Sequence, residues 1–97
     1  MITLDSTPRL VPAARLRFDR ASGRMMLLCP ERGLVLNTSA ATILRLCTGE
    51  HRVHDLIEGL LRAHGGTRDA IERDVLGFLC ELERRRLIVA APARELA

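Results

Sequence analysis

The first part of the chain shows short apolar runs separated by turn residues. Residues 15–19 alternate charged and apolar side chains, as a strand with one buried face does. Residues 20–23 and 30–33 contain the Gly and Pro residues typical of turns, and the runs 25–29 and 34–36 that follow them are apolar. Because the connections are tight, we expect the three strands to form an antiparallel meander.

The pattern changes its period at residues 37–39, Asn-Thr-Ser, each a favourable residue for capping the start of a helix. The apolar positions that follow are spaced by three and four residues, which predicts a first helix that ends at Gly49. A second helix is predicted over residues 53–64, where the spacing is clearest. Two glycines end it, and Thr67 then caps a third, longer helix.

The predicted third helix carries more apolar surface than a single buried face requires. Its two neighbouring stripes are Ile71, Val75, Phe78 and Leu82, expected in the core, and Leu76, Leu79 and Glu83. The second strand is also apolar on both faces, although we expect the three helices to cover one face of the sheet. Dense core packing is one explanation. The other is a groove between this helix and an open sheet edge, which could take a peptide as an added strand.

The two ends of the chain lack a clear period. Residues 1–14, which contain two prolines, are expected to form a flexible arm. Residues 87–89 could add a brief strand, and residues 90–97 are expected to form a tail. The fold class predicted for residues 15–89 is α+β, a three-stranded antiparallel sheet followed by three helices (βββααα) in a winged helix-turn-helix-like arrangement.

Composition limits the classes of function. Apolar residues make up 47% and charged residues 28% of the 97 residues, as in a globular domain. The net charge of +3 is small for a nucleic-acid binder, so we do not expect a nucleic-acid partner. The N-terminus lacks the pattern of a signal peptide, and no apolar run is long enough to span a membrane. We expect a cytoplasmic protein without a membrane partner.

Candidate chemistry is sparse. The three cysteines, Cys29, Cys47 and Cys80, do not form a disulfide framework and fit a reducing cytoplasm. Cys47, His51 and His54 have the residue types of a metal site, but a structural zinc takes about four ligands and no fourth stands nearby. No phosphate-binding loop or nucleophile motif is present. We therefore expect no metal, no other cofactor and no enzyme activity.

Several short runs resemble the coenzyme PQQ synthesis protein D (PqqD) family. They are Leu16-Arg17-Phe18-Asp19, Leu27-Leu28-Cys29-Pro30-Glu31-Arg32, Leu36-Asn37 before Ala40, Ile43-Leu44-Arg45-Leu46, Asp74-Val75, Phe78-Leu79 and Arg86-Leu87-Ile88. The resemblance spans residues 8–89, nearly the whole chain. One departure is Thr48-Gly49-Glu50, where many relatives have Asp before the Gly; it affects only the turn between the first two helices.

The resemblance implies a recognition element for ribosomally made and modified peptides (RiPPs). Relatives bind the leader of a precursor peptide, PqqA-like in the pyrroloquinoline quinone (PQQ) pathway. They deliver it to a radical SAM enzyme, PqqE-like, that joins a Glu and a Tyr of the precursor. The chain is then expected to be a peptide chaperone of PQQ biosynthesis. Recognition of another modified peptide and winged-helix nucleic-acid binding are the alternatives, and a homodimer stays open.

The resemblance also implies that the peptide lies as an added strand beside the third strand and against the third helix. The residues expected to contact it are Gly33, Leu34, Val35, Leu36, Asn37, Arg73, Leu76, Leu79 and Glu83. Arg84, Arg85 and Arg86, with the C-terminal tail, are the residues expected to contact the partner enzyme.

Overall fold

The computed structural model describes residues 2–29 and 32–92. Within these residues lie five strands, β1 (Ser6–Leu10), β2 (Arg15–Asp19), β3 (Arg24–Cys29), β4 (Arg32–Val35) and β5 (Ile88–Pro92). The helices are α1 (Thr38–Arg45), α2 (Val53–His64) and α3 (Arg68–Arg84). The predicted turn at residues 30–33 lies partly outside the described residues. The predicted tail over residues 90–97 is corrected in part, because residues 90–92 belong to β5, and residues 93–97 lie outside the described residues.

The three predicted strands form one antiparallel sheet in the order β2-β3-β4. Leu27 is at its centre, opposite Leu16 on β2 and Leu34 on β4, and its side chain is completely buried beneath the helices. The neighbouring residues Met26 and Leu28 face the other way and stay partly exposed. The prediction of an α+β fold with a three-stranded sheet and three helices is therefore confirmed. The winged helix-turn-helix label describes it loosely, because a second sheet is also present.

This second sheet corrects the expectation of a flexible arm over residues 1–14. β1 pairs with β5 in an antiparallel ladder that runs from Ser6 opposite Pro92 to Leu10 opposite Ile88. This strand was not predicted from the sequence because it contains Pro8, and proline cannot donate a ladder hydrogen bond. In the structure the Pro8 carbonyl faces away from β5, so its missing N–H also points away from the ladder.

The outer edge of β1 is occupied by the connection between α1 and α2. The N–H of Leu10 donates to the Cys47 carbonyl at 3.2 Å, and the N–H of Gly49 donates to the Pro8 carbonyl at 3.0 Å. Gly49 has a φ of 88°, which glycine adopts without strain. Both ends of the described chain are therefore held to the domain by backbone hydrogen bonds.

Polar caps fix where the helices begin. The Asn37 side chain accepts a hydrogen bond from the Ala40 N–H at 2.8 Å, and the Thr67 hydroxyl accepts one from the Ala70 N–H at 3.4 Å. α3 ends at Arg84, and two residues later Arg86, with a φ of 62°, turns the chain towards β5. None of the described helices is both long and apolar enough to cross a membrane.

Candidate functional site

The free edge of β4 offers backbone hydrogen-bonding groups to a ligand. The N–H of Leu36 donates to the Met25 carbonyl at 2.9 Å, so Leu34 and Leu36 direct their backbone groups at β3. Residues alternate along an antiparallel strand, which leaves the N–H and C=O groups of Gly33 and Val35 directed outward. An added strand would pair with these two residues.

A largely apolar cavity of about 450 Å³ opens at Asn37, immediately after β4. It lies between the start of α1, the end of α2 and the first half of α3. Its lining residues are Asn37, Ser39, Ala40, Ile43, Leu60, His64, Gly65, Ile71, Asp74, Val75 and Phe78. The strand edge and the cavity thus meet at Asn37, where β4 passes into α1.

The side of α3 that lines this cavity differs from the side that the sequence predicted. Ile71 and Phe78, assigned to the core stripe, are half-buried and line the cavity. Leu79, assigned to the groove, has an exposed fraction of 0% and packs in the core with Val75 and Leu82. One stripe lies on each side of a single buried row of residues along α3. The sequence pattern could not show which of these two sides faces the cavity.

The remaining predicted residues of α3 also lie away from the cavity. Leu76 is partly buried against the core, Glu83 is half-buried, and Arg73 is exposed. In the predicted set for β4, Asn37 lines the cavity, Gly33 and Val35 are exposed, and Leu36 is buried. The role of these residues in peptide binding stays a prediction.

Sequence reasoning missed the contributions of α1 and α2 to the site. Ala40 and Ile43 lie on the apolar stripe of α1, and Leu60 lies on that of α2, so all three could only be expected in the core. His64 and Asp74 add polar groups at the cavity lining. The signal that could have indicated the site was Asn37, because a helix cap that directly follows an edge strand brings the two elements together.

A family model, that of coenzyme PQQ synthesis protein D (PqqD), matches residues 24–88, which include β3, β4 and all three helices. The chain belongs to the PqqD family. Its relatives include PqqA binding protein of Rhodopseudomonas palustris (strain TIE-1), 36% identical over 86 residues, which are 89% of this chain and 84% of the relative. The bifunctional coenzyme PQQ synthesis protein C/D of Methylorubrum extorquens is 33% identical over 81 residues, 84% of this chain but 22% of that protein.

Two solved structures share this PqqD fold. The solution structure of the PqqD part of Methylobacterium extorquens PqqCD, a stand-alone RiPP recognition element, superposes with a TM-score of 0.77 and 30% identity. The superposition covers 92% of this chain and 95% of that one. Lasso peptide synthetase B1, solved with a leader peptide, gives a TM-score of 0.72 at 24% identity, covers 86% of this chain and 98% of its own, and shows the likeness of fold.

The arginines at the end of α3 are partly neutralised within this PqqD-family chain. Arg84 and Arg85 both contact the Glu81 carboxylate, at 2.6 Å and 2.7 Å. Their hydrogen bonds hold the pKa of Glu81 below its usual value. Arg86 is the turn residue between the helix and β5. The predicted contact of these three residues with a partner enzyme stays a prediction.

The residues that suggested a metal site do not form one in the described part of the chain. No group of three or more His, Cys, Asp or Glu side chains comes together among residues 2–29 and 32–92. Cys47 is buried in the core, and its thiol donates to the Ile43 carbonyl at 3.3 Å. Burial raises the pKa of Cys47 to about 12, so the thiolate needed for metal binding is scarce at neutral pH.

Proposed function

We propose that this chain binds a PqqA-like precursor peptide and presents it to a PqqE-like radical SAM enzyme during PQQ biosynthesis. The observation that supports this proposal is the free edge of β4 next to an apolar cavity, in a chain of the PqqD family. The relatives named PqqA binding protein support the same ligand. The chain would act without catalysing a reaction itself.

Binding would proceed by strand addition. The peptide backbone exchanges hydrogen bonds with Gly33 and Val35, which supplies affinity that depends little on sequence. Where the peptide passes Asn37, an apolar side chain enters the cavity beside Ile71 and Phe78. That side chain supplies the specificity, because an unmatched polar group in an apolar cavity loses its hydrogen bonds to water.

Presentation needs only that the chain hold peptide and enzyme at the same time. Bringing them together raises the effective concentration of one at the other, even without new contacts between them. We place this step in the cytoplasm, where precursor peptides are translated and where the thiols of Cys29, Cys47 and Cys80 stay reduced.

Amide hydrogen exchange during a titration with the precursor peptide tests the binding mode. The amides of Gly33 and Val35 should become protected, whereas those of Leu34 and Leu36, which already face β3, should change little. A peptide of the same composition in scrambled order is the control for nonspecific association. Protection confined to α2 and the β2–β3 turn would contradict strand addition at β4 and would favour a nucleic-acid surface, which a titration with duplex DNA would then examine.

A further inference from the structure

The sheet has a second face that the helices leave uncovered. On β3, Met26 and Leu28 point away from the core, and their partners on β4 are Val35 and Gly33. A methyl group added at Gly33 would meet Met26 Cε at 2.9 Å and Leu28 Cδ2 at 3.1 Å, so both side chains lean over this glycine. Together with the 54% exposed Val35, they form an apolar patch.

One side of this patch is lined by arginines. Arg15 is paired with Leu28 and Arg17 with Met26, so both guanidinium groups project from the same face as the apolar side chains. We call the face made by Arg15, Arg17, Met26, Leu28 and Val35 the outer face.

The arginines of the outer face lack the local compensation seen at the end of α3. Among the described residues, no carboxylate lies within salt-bridge distance of Arg15 or Arg17. Asp19 shares the face, but its carboxylate accepts hydrogen bonds from the Ser22 hydroxyl at 2.7 Å and the Ser22 N–H at 3.2 Å. Those bonds, more than Arg17, lower the pKa of Asp19. The face as a whole is apolar and positively charged.

We infer that the outer face docks an acidic protein surface that carries apolar side chains, on the partner enzyme to which the peptide is presented. The inference rests on the proposed function, because an adaptor needs a second surface. Charge complementarity favours this occupant over a second copy of the chain, since two outer faces would bring arginines against arginines.

The outer face and the cavity lie on opposite sides of the sheet. Leu27 and Leu34, on the inner side, are covered by the helices that form the cavity, whereas Val35 points outward. A peptide strand added at β4 would extend both sides, because successive side chains of a strand alternate between faces. A bound peptide would therefore enlarge the outer face and should strengthen enzyme docking.

Charge reversal at two places tests the inference. Arg15→Glu with Arg17→Glu changes the outer face, and Arg84→Glu with Arg85→Glu makes the same change in net charge at the end of α3. The probe is the radical SAM enzyme encoded beside the precursor gene, titrated onto the peptide-saturated protein. If the outer face is the docking surface, we expect the first pair to weaken enzyme binding by about tenfold or more. The second pair lies at the rival site that the sequence predicted, and docking at the outer face predicts a change of less than about twofold there.

Further measurements distinguish failure of this inference from failure of the proposed function. Peptide affinity of both double variants should equal that of the wild type, and wild-type enzyme binding should weaken as salt increases. Loss of enzyme binding only in the Arg84 and Arg85 variant, or equal loss in both, would overturn docking at the outer face. So would peptide that displaces the enzyme. Failure of the wild type to bind peptide would instead overturn the proposed function.

Discussion

The two edges of the three-stranded sheet have the same hydrogen-bonding capacity but different surroundings. On β2, Leu16 and Phe18 direct their backbone groups outward, as Gly33 and Val35 do on β4. At the β4 end, the adjoining cavity has six apolar residues among eleven. Near Phe18, a second cavity of about 380 Å³ also reaches Asn37 at the start of α1, but it has only four apolar residues among ten and is lined by two arginines.

This difference indicates that an open edge alone does not define a peptide site. Backbone groups accept many extended segments, and the neighbouring side chains select among them. The β4 edge leads into an apolar cavity formed by three helices, whereas the β2 edge carries the 55% exposed Phe18 between charged neighbours. We therefore expect the peptide to bind at the β4 edge rather than at the β2 edge.

The largest effect is expected at Leu79, because one core supports both edges. Leu79→Ala should lower the free energy of unfolding by about 2–5 kcal/mol, since the side chain is fully buried and leaves a cavity. Denaturant unfolding would measure this change. The matched control is Leu76→Ala on the same helix, where the side chain is only partly buried and the loss should be smaller. If the two variants lost equal stability, the division of α3 into a core line and two flanks would be wrong.

The next effect distinguishes the edges directly. Val35→Pro removes an outward N–H without touching the β3–β4 ladder, and Phe18→Pro does the same on β2. Peptide affinity should fall by about tenfold in the first variant, from a lost hydrogen bond and the bulk of the ring, and stay near wild type in the second. Isothermal titration calorimetry would measure both.

Val35→Ala is the control for this comparison, because it keeps the N–H while shortening the side chain. It should bind peptide nearly as well as the wild type. A loss in Phe18→Pro that exceeds the loss in Val35→Pro would move the peptide to the β2 edge.

The smallest effect concerns the cavities. Phe78→Ala enlarges the cavity next to β4 and should weaken peptide binding by about fivefold, because an anchoring contact is lost. Arg45→Gln alters the cavity near Phe18 and should change peptide affinity by less than about twofold. Fluorescence anisotropy with a labelled leader would compare them, and an Arg45 effect larger than that of Phe78 would reverse the assignment of the cavities.

Much of the fold could be predicted because the spacing of apolar residues within a short segment indicates whether that segment forms a strand or a helix. Alternation over residues 15–19 and the spacing of Val53, Leu56, Ile57 and Leu60 give the sheet and α2 directly. β1 was missed because Pro8 is unfavourable in a strand unless its missing N–H points away from the ladder, and only the three-dimensional pairing reveals that direction.

The candidate site was harder to predict than the fold. The sequence shows that α3 has two apolar flanks, but the choice between the Ile71 and Phe78 flank and the Leu76 flank depends on where α1 and α2 pack. The β4 edge was predictable from the meander, because the last strand of a meander has no sequential partner on one side. The cavity was not, since it takes residues from three helices far apart in sequence.

The pairing of Ser6 with Pro92 makes the domain easy to join to other proteins. Its first and last strands lie side by side, so a chain can enter and leave the domain at neighbouring points, as a modular insertion requires. New termini could be opened in the β2–β3 turn at residues 20–23, which are exposed, while a short linker closes the old ones. Such a circularly permuted version would keep both β1–β5 and β4, and could be placed inside an enzyme as a portable recognition module.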